Sequence, residues 1–377
     1  MLQKKAVKLA RHIHLPGAVG TLSILTAVAL LTAACGSTLT TPHSNPSGSA
    51  GSGGGKQPGS TQPPVPAPVV NESTAALGLQ DAYASIVKAV LPSVVQLQTS
   101  TGLGSGIVYN NQGDVVTNNH VVAGATTLQL TTVTGKTYTA TVVGTYAPDD
   151  LAVVHVSGAH LTPASFGNSS ALVVGDIVMA IGNPLGLQSS VTSGIVSATG
   201  RTESEGNGIA LPDMIQTSAN INPGNSGGAL VDLEGQVIGI PTLAATDPQL
   251  GGGSAPGIGF AIPSSIVTTI ANQIIATGHV TNSGRAYLGV EVAIQSFYNN
   301  GAVIVAVTPG GPAAKAGLQQ GDIITSVAGN QVQTANDLAV ALAQLSPGQT
   351  VTVQYLGPNG NTHSTSVTLG QLPGSAS

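Results

Sequence analysis

From Ser93 to Ile240 the apolar residues come in short runs separated by Gly, Asn and Asp. The runs are "SVVQLQT", "GSGIVYN", "DVVTNNHVV", "TTLQLTTV", "TYTATVVGTY", "LAVVHV", "DIVMAIG", "SGIVSATG" and "GALVDLEGQVIGI". Strands at this spacing predict an all-β barrel or sandwich. Two helical patterns flank them. "AALGLQDAYASIVKAVL" begins at Ala75 and is stopped by Pro92, and "SSIVTTIANQIIATG" ends at Gly278. Beyond Arg285 come "AYLGVEVA", "GAVIVAVTPGGPAAKAGLQQGDIITSVAG", a helix in "ANDLAVALAQL", and the strands "TVTVQYLG" and "THSTSVTLG". Four or five strands and two short helices predict a small separate α+β domain over 285–372.

The N-terminus has a different pattern. A basic stretch, "MLQKKAVKLARHIH", precedes the apolar run "AVGTLSILTAVALLTAAC". That order predicts a targeting or anchor segment over 1–35, with the remainder of the chain outside the cytoplasm. Cys35 is the only cysteine, so no intrachain disulfide can form. "LTAAC" resembles a bacterial lipobox, which makes Cys35 the candidate for lipidation; uncut, the run is at the short limit of a membrane span. Residues 36–74 are rich in Gly, Ser and Pro and predict a flexible tether, spanning on the order of 35 Å.

Composition sharpens this picture. There is no Trp and only 3% aromatic residues, so the cores must be built from Val, Ile, Leu and Ala. Only 7% of residues are charged, and after the first eleven positions six basic residues face fifteen acidic ones. No basic cluster remains to neutralise phosphates, which argues against nucleic acid as a partner. No Walker or dinucleotide loop, His-Glu-x-x-His sequence or cysteine cluster is present, so neither a cofactor nor a metal is expected.

The chemistry centres on "NPGNSGGALVDLEG". Ser226 sits among small residues that let a substrate backbone approach. Acyl transfer by serine needs a base, a group to orient it, and donors for the oxyanion. His120, at the end of the run "DVVTNNHVV", is the best base; His155, in a strand, reads as a core or face histidine, and His160 has no acid nearby in sequence. Asp150, directly before "LAVV", is the best orienting acid. Asp149 is the runner-up and reads as a surface or turn-capping residue. The order His, Asp, Ser, separated by 30 and 76 residues, is that of chymotrypsin-type barrels. Gly224, Asn225 and Ser226 form the candidate oxyanion-hole segment, with the N–H groups of Gly224 and Ser226 turned inward.

"TNNHVV", "DDLAVV" and "NPGNSGGALVDLEGQVIGI" resemble the three catalytic segments of the HtrA (DegP-like) serine proteases, and "IGNPLGL", "SGIVSATGR" and "GIGFAIPSS" match further segments of that family. The resemblance implies a mainly β chain: a chymotrypsin-like double β-barrel protease domain over 75–280, then a PDZ domain over 285–372. It places Ile221, Ala244 and Ala245 in the pocket for the residue before the cut, and Tyr287, Leu288, Gly289 and Val290 in the loop that receives a peptide C-terminus beside the helix Asn336–Leu345. Asn225 stands where trypsin-like enzymes carry an aspartate that pairs with a newly cut N-terminus, so activation by cleavage is not expected. Pro241 replaces an asparagine and lacks the N–H that a docked substrate strand would use. The large loop of DegP is missing. A homotrimer is implied by the family alone, with Tyr83 the one aromatic candidate before Pro92.

The expected function is an envelope-tethered serine endopeptidase acting on unfolded or damaged proteins, regulated by C-terminal peptides at the PDZ domain. The alternative is a PDZ-bearing chaperone or scaffold that holds exposed termini and cuts little.

Overall fold

A computed structural model describes residues 74–374, apart from 101, 184–188, 207–208, 223, 248–252 and 294–300. The expected targeting segment, Cys35 and almost all of the tether lie outside the described residues. Among those described, no helix is long and apolar enough to cross a membrane.

Helix α1 (Thr74–Val90) buries Ile86 and Val90 and gives way at Pro92 to a 3-10 turn, Leu91–Ser93. Six antiparallel strands then close a barrel: β1 (Val94–Gln98), β2 (Leu103–Val108), β3 (Asp114–Thr117), β4 (Thr127–Thr131), β5 (Thr137–Tyr146) and β6 (Leu151–His155), in the order β1-β2-β3-β6-β5-β4. A one-turn helix, α2 (Asn119–Val122), follows β3. The second barrel comprises β7 (Ile177–Gly182), β8 (Ser190–Gly206), β9 (Ile209–Thr217), β10 (Ala229–Val231), β11 (Val237–Asp247) and β12 (Gly253–Pro263), in the order β10-β11-β12-β9-β8-β7.

Alternation along each strand explains the two barrels and the seam between them. In β3, Val115 joins the core of the first barrel whereas Val116 points to a cluster shared by both. In β7, Val178 and Ala180 fill the second barrel while Met179 and Ile181 face the shared cluster. Successive side chains of a strand point to opposite faces, so burial on both faces gives unbroken apolar runs rather than alternating ones. Helix α3 (Ser264–Thr277) buries Val267, Ile270, Ala271 and Ile274 in the shared cluster, and Gly278 ends it in a left-handed cap, its N–H donating to Ile274 O at 2.7 Å.

The C-terminal part has its own core, formed among others by Leu288, Ile304, Ile324, Leu338, Val353 and Val367. Strands β13 (Ala286–Tyr287) and β20 (Gly370–Gln371) pair with each other. A second sheet runs β14 (Val290–Val292), β15 (Ala302–Val307), β16 (Ile323–Val327), β18 (Thr350–Leu356) and β19 (Thr362–Thr368), with β17 (Asn330–Gln331) beside β16. Two helices complete it, α4 (Pro312–Lys315) and α5 (Ala335–Ala343). Thr334 and Asp337 close a capping box at the start of α5, each side chain accepting from the other's N–H.

Candidate active site

Asp150 lies at the end of a 3-10 turn in left-handed conformation, φ 49° and ψ 44°. This backbone is uncommon for a residue with a side chain and persists only where the surroundings over-determine it. Here they do. The Asp150 carbonyl accepts from Asn119 N–H at 3.1 Å and from Asn118 Nδ2 at 3.0 Å. Its Oδ1 accepts His120 N–H at 2.9 Å, and its Oδ2 lies 2.8 Å from His120 Nδ1. A carboxylate at Nδ1 keeps the proton there, which leaves Nε2 of the neutral ring as a base. The Asp150 side chain is 3% exposed and that of His120 48%, so the acid is buried and the base opens to solvent. Thr242, on β11, also donates its hydroxyl to Asp150 Oδ2. Nothing near Thr242 in sequence signals this role, since its partner is 92 residues away.

Ser226 docks against the first barrel. Its carbonyl accepts from Ser105 N–H on β2 at 3.0 Å. The next residue, Gly227, has φ 78°, and a Cβ there would lie 2.3 Å from Ser105 O and 2.4 Å from Thr117 Oγ1. Only glycine lets the chain come this close. Ser226 is thereby held against the strands that lead to His120.

Tracing the described backbone groups of this loop shows which N–H groups are left without a described partner. Asn225 N–H donates to Asn222 O, Gly227 N–H to Pro241 O, and Gly228 N–H to Asn225 O. The Gly224 carbonyl accepts the Ser105 hydroxyl. What is left is the N–H of Gly224 and that of Ser226, neither of which donates to another described residue. Gly224 has φ 111°, closed to other residues. Asn225, grouped with them from the sequence, occupies a different place: its N–H is spent, and its buried side chain accepts from Asn222 N–H at 3.0 Å and donates to Asn220 O at 3.1 Å. It is a scaffold of the loop.

Of the candidate pocket residues, Ile221 is buried against Gly259, whose strand partner is Ala244. The side chains of Ala244 and Ala245, on β11, fall outside the described residues. Pro241 lies within β11, opposite Ala261 and next to a register shift. That location tolerates a residue without an N–H, and its carbonyl anchors Gly227.

In the C-terminal domain Tyr287, Leu288, Gly289 and Val290 line one groove together with Leu338 and Leu342. Gly289 has φ 82°. The N–H groups of Leu288 and Gly289 donate to no described residue, while their carbonyls accept from Ala313 and Thr308. Such free donors beside an apolar groove suit a carboxylate with an apolar side chain behind it. Ala147, Pro148 and Ala210 of the barrels form a further wall.

Asp149 requires a correction. The sequence suggested a surface or capping residue, yet its side chain is 4% exposed and lies 2.8 Å from Arg285 Nη1. The same guanidinium donates to the carbonyls of Pro148 and Ala210. Burial pushes the Asp149 carboxyl above the usual range, against the lowering effect of Arg285. His155 is a face histidine as expected, its Nδ1 2.8 Å from Asp114 Oδ1 in the neighbouring strand. Among the described residues, no cluster of three or more His, Cys, Asp or Glu could hold a metal.

Comparison with known proteins bears on this geometry. Residues 104–240 match the trypsin-like peptidase domain family and residues 286–369 the PDZ domain family. Serine protease PepD of Mycobacterium tuberculosis is 40% identical over 344 residues, covering 85% of this chain and 71% of PepD. A probable periplasmic serine endoprotease, DegP-like, of Chlamydia trachomatis is 40% identical over 281 residues, and there the chain spans only 54% of the relative's length. Among solved structures, the HtrA-type protease AlgW with a decapeptide shares 32% identity at a TM-score of 0.54, covering 77% of this chain and 99% of that one. The serine endoprotease from Yersinia pestis shares 33% at 0.53, covering 77% and 98%.

Proposed function

Because the chain belongs to the HtrA family of serine proteases, we propose that it is an endopeptidase cutting unfolded or damaged proteins through an acyl-enzyme on Ser226. The observation that carries this reading is the pairing of a buried Asp150, held by Asn118, Asn119, Thr242 and the His120 N–H, with a solvent-open His120, together with two N–H groups of the Ser226 loop that have no other described partner. As Ser226 Oγ bonds to the substrate carbonyl carbon, His120 Nε2 takes the hydroxyl proton and Asp150 stabilises the imidazolium. The carbonyl oxygen gains the negative charge and is met by the N–H groups of Gly224 and Ser226, each such donor contributing about a hundred- to a thousand-fold in rate. The C–N bond then breaks as His120 returns the proton to the leaving amine. Water, deprotonated by the same base, releases the acyl group.

The groove at Tyr287–Val290 takes C-terminal peptides with apolar ends and regulates cleavage; the decapeptide in the AlgW structure supports peptide binding in this architecture. The protease works outside the cytoplasm, tethered through residues 1–35. The order of basic, apolar and polar stretches and the periplasmic description of the Chlamydia relative support that placement.

The test is casein hydrolysis by the full chain in detergent, wild type beside Ser226→Ala, with and without an apolar C-terminal peptide. Cleavage by the wild type and none by the variant is expected. Peptide binding without cleavage in any condition would favour a holding protein instead.

A further inference from the structure

One side chain of the first barrel reaches the oxyanion loop of the second. Ser105 is fully buried on β2. Its hydroxyl donates to Gly224 O at 2.5 Å and accepts from Asn183 N–H at 2.8 Å. The direction of the first bond is not a matter of choice. A backbone N–H can only donate and a carbonyl can only accept, so the single hydroxyl proton of Ser105 must lie towards Gly224. The Ser105 carbonyl is held in turn by the Thr117 hydroxyl at 2.7 Å, and its N–H holds Ser226 O at 3.0 Å. Ser105 is therefore fixed by its own surroundings and grips the loop on both sides of Asn225.

We propose that Ser105 is a positioning residue for the oxyanion hole: its hydroxyl pins the Gly224 carbonyl inward so that the N–H groups of Gly224 and Ser226 keep facing the cleft. This rests on the protease reading given above. The backbone of the loop shows why a side chain is needed here. The plane after Ser226 is tied at both ends by backbone, its carbonyl to Ser105 N–H and the Gly227 N–H to Pro241 O, and the plane after Asn225 is tied at its carbonyl by Gly228 N–H. The plane between Gly224 and Asn225 has its N–H bonded locally, to Asn222 three residues away, and its carbonyl bonded only through the Ser105 hydroxyl among described residues. Gly224 itself has no side chain to hinder rotation. Without the hydroxyl, that plane loses the bond that fixes its carbonyl, and the backbone angles of Gly224 and Asn225 on either side, which aim the flanking Gly224 and Ser226 N–H groups, are no longer held. Asn183 N–H would lose its acceptor at the same time, which adds an incentive for the loop to rearrange.

The experiment compares full-length wild type with Ser105→Ala in three readouts: kcat and KM on a chromogenic peptide ester, Ki for a peptide aldehyde whose hemiacetal oxygen occupies the oxyanion hole, and the thermal unfolding midpoint. In the variant kcat should fall about 10- to 100-fold with KM within about twofold, and the aldehyde Ki should rise by the same factor. A structural role alone would shift the unfolding midpoint without this parallel loss of aldehyde affinity. Folded Ser105→Ala with wild-type kcat and Ki would overturn the proposal, as would a fall in kcat with unchanged Ki. If Ser105→Ala does not fold, Ser105→Cys replaces the hydroxyl by a weaker donor of similar shape. An intermediate loss in both kcat and Ki is then expected, and wild-type values would sink the idea. A wild type inactive on every substrate would instead count against the protease reading itself.

Discussion

Arg285 places its guanidinium 2.8 Å from the carboxylate of Asp149, the residue directly before Asp150, although 136 positions separate the two in sequence. The pair ties the entrance of the PDZ groove to the turn that presents Asp150. Truncating one partner of a buried pair leaves the other charge uncompensated, so Asp149→Ala should cost about 3 kcal/mol of stability, measured by urea unfolding at neutral pH.

The pair also has a pH signature. Burial holds the folded Asp149 carboxyl above its unfolded value, so the folded protein binds this proton first as pH falls. The resulting stabilisation is fully present below the unfolded value, near pH 4, and is lost as pH rises through the folded one. The stability of wild type relative to Asp149→Asn should therefore increase on acidification from neutral pH. Urea titrations of both proteins across that range would contradict this if the difference shrank.

Thr242→Val removes one hydrogen bond to Asp150 while keeping the side-chain shape. A bond to a charged group is worth about 1.5–3 kcal/mol, so kcat should fall about 10- to 100-fold with KM nearly unchanged. Steady-state kinetics on a peptide substrate decide it.

Two His–Asp pairs of equal length, 2.8 Å, occur in the first barrel. His120→Ala should abolish turnover, whereas His155→Gln should leave kcat within about twofold, because its partner Asp114 is at the opposite end of β3 from Thr117, the residue that meets the Ser226 loop. Loss of activity in His155→Gln would mean that the wrong histidine has been assigned.

Tyr146, fully buried one turn before Asp150, has its phenol pushed up to about 12, chiefly by burial. With the folded value above the unfolded one near 10, its contribution is intact below pH 10 and lost as pH rises towards 12. Two units correspond to about 2.7 kcal/mol. Tyr146→Phe should remove this part of the alkaline destabilisation, read from unfolding curves between those limits.

Much of this architecture was legible in the sequence, and the gaps have physical causes. The run "LAVVHV" stood out because both of its faces are buried, and "TYTATVVGTY" because β-branched and aromatic residues fill it although one face is largely open. Strand β9 did not: Pro212 and Asp213, the latter at φ 56°, interrupt "IALPDMIQT" although Leu211, Met214 and Ile215 are buried. Strand β11 runs past Pro241 because a register shift absorbs the proline. His120 and Asp150 could be picked out as candidates because each adjoins an apolar run, and Ser226 because it stands among glycines. Thr242, Ser105 and the burial of Asp149 could not, since each depends on a partner brought close only by folding.

The clamps across the seam bear on when the protein becomes dangerous to its surroundings. His120 and Asp150 are synthesised well before Ser226, yet Asp150 awaits Thr242 and the Ser226 loop awaits Ser105. A nascent chain with only its first barrel formed has no cutting power. The proposed site is complete only where both barrels meet, so a copy with one barrel formed lacks part of it.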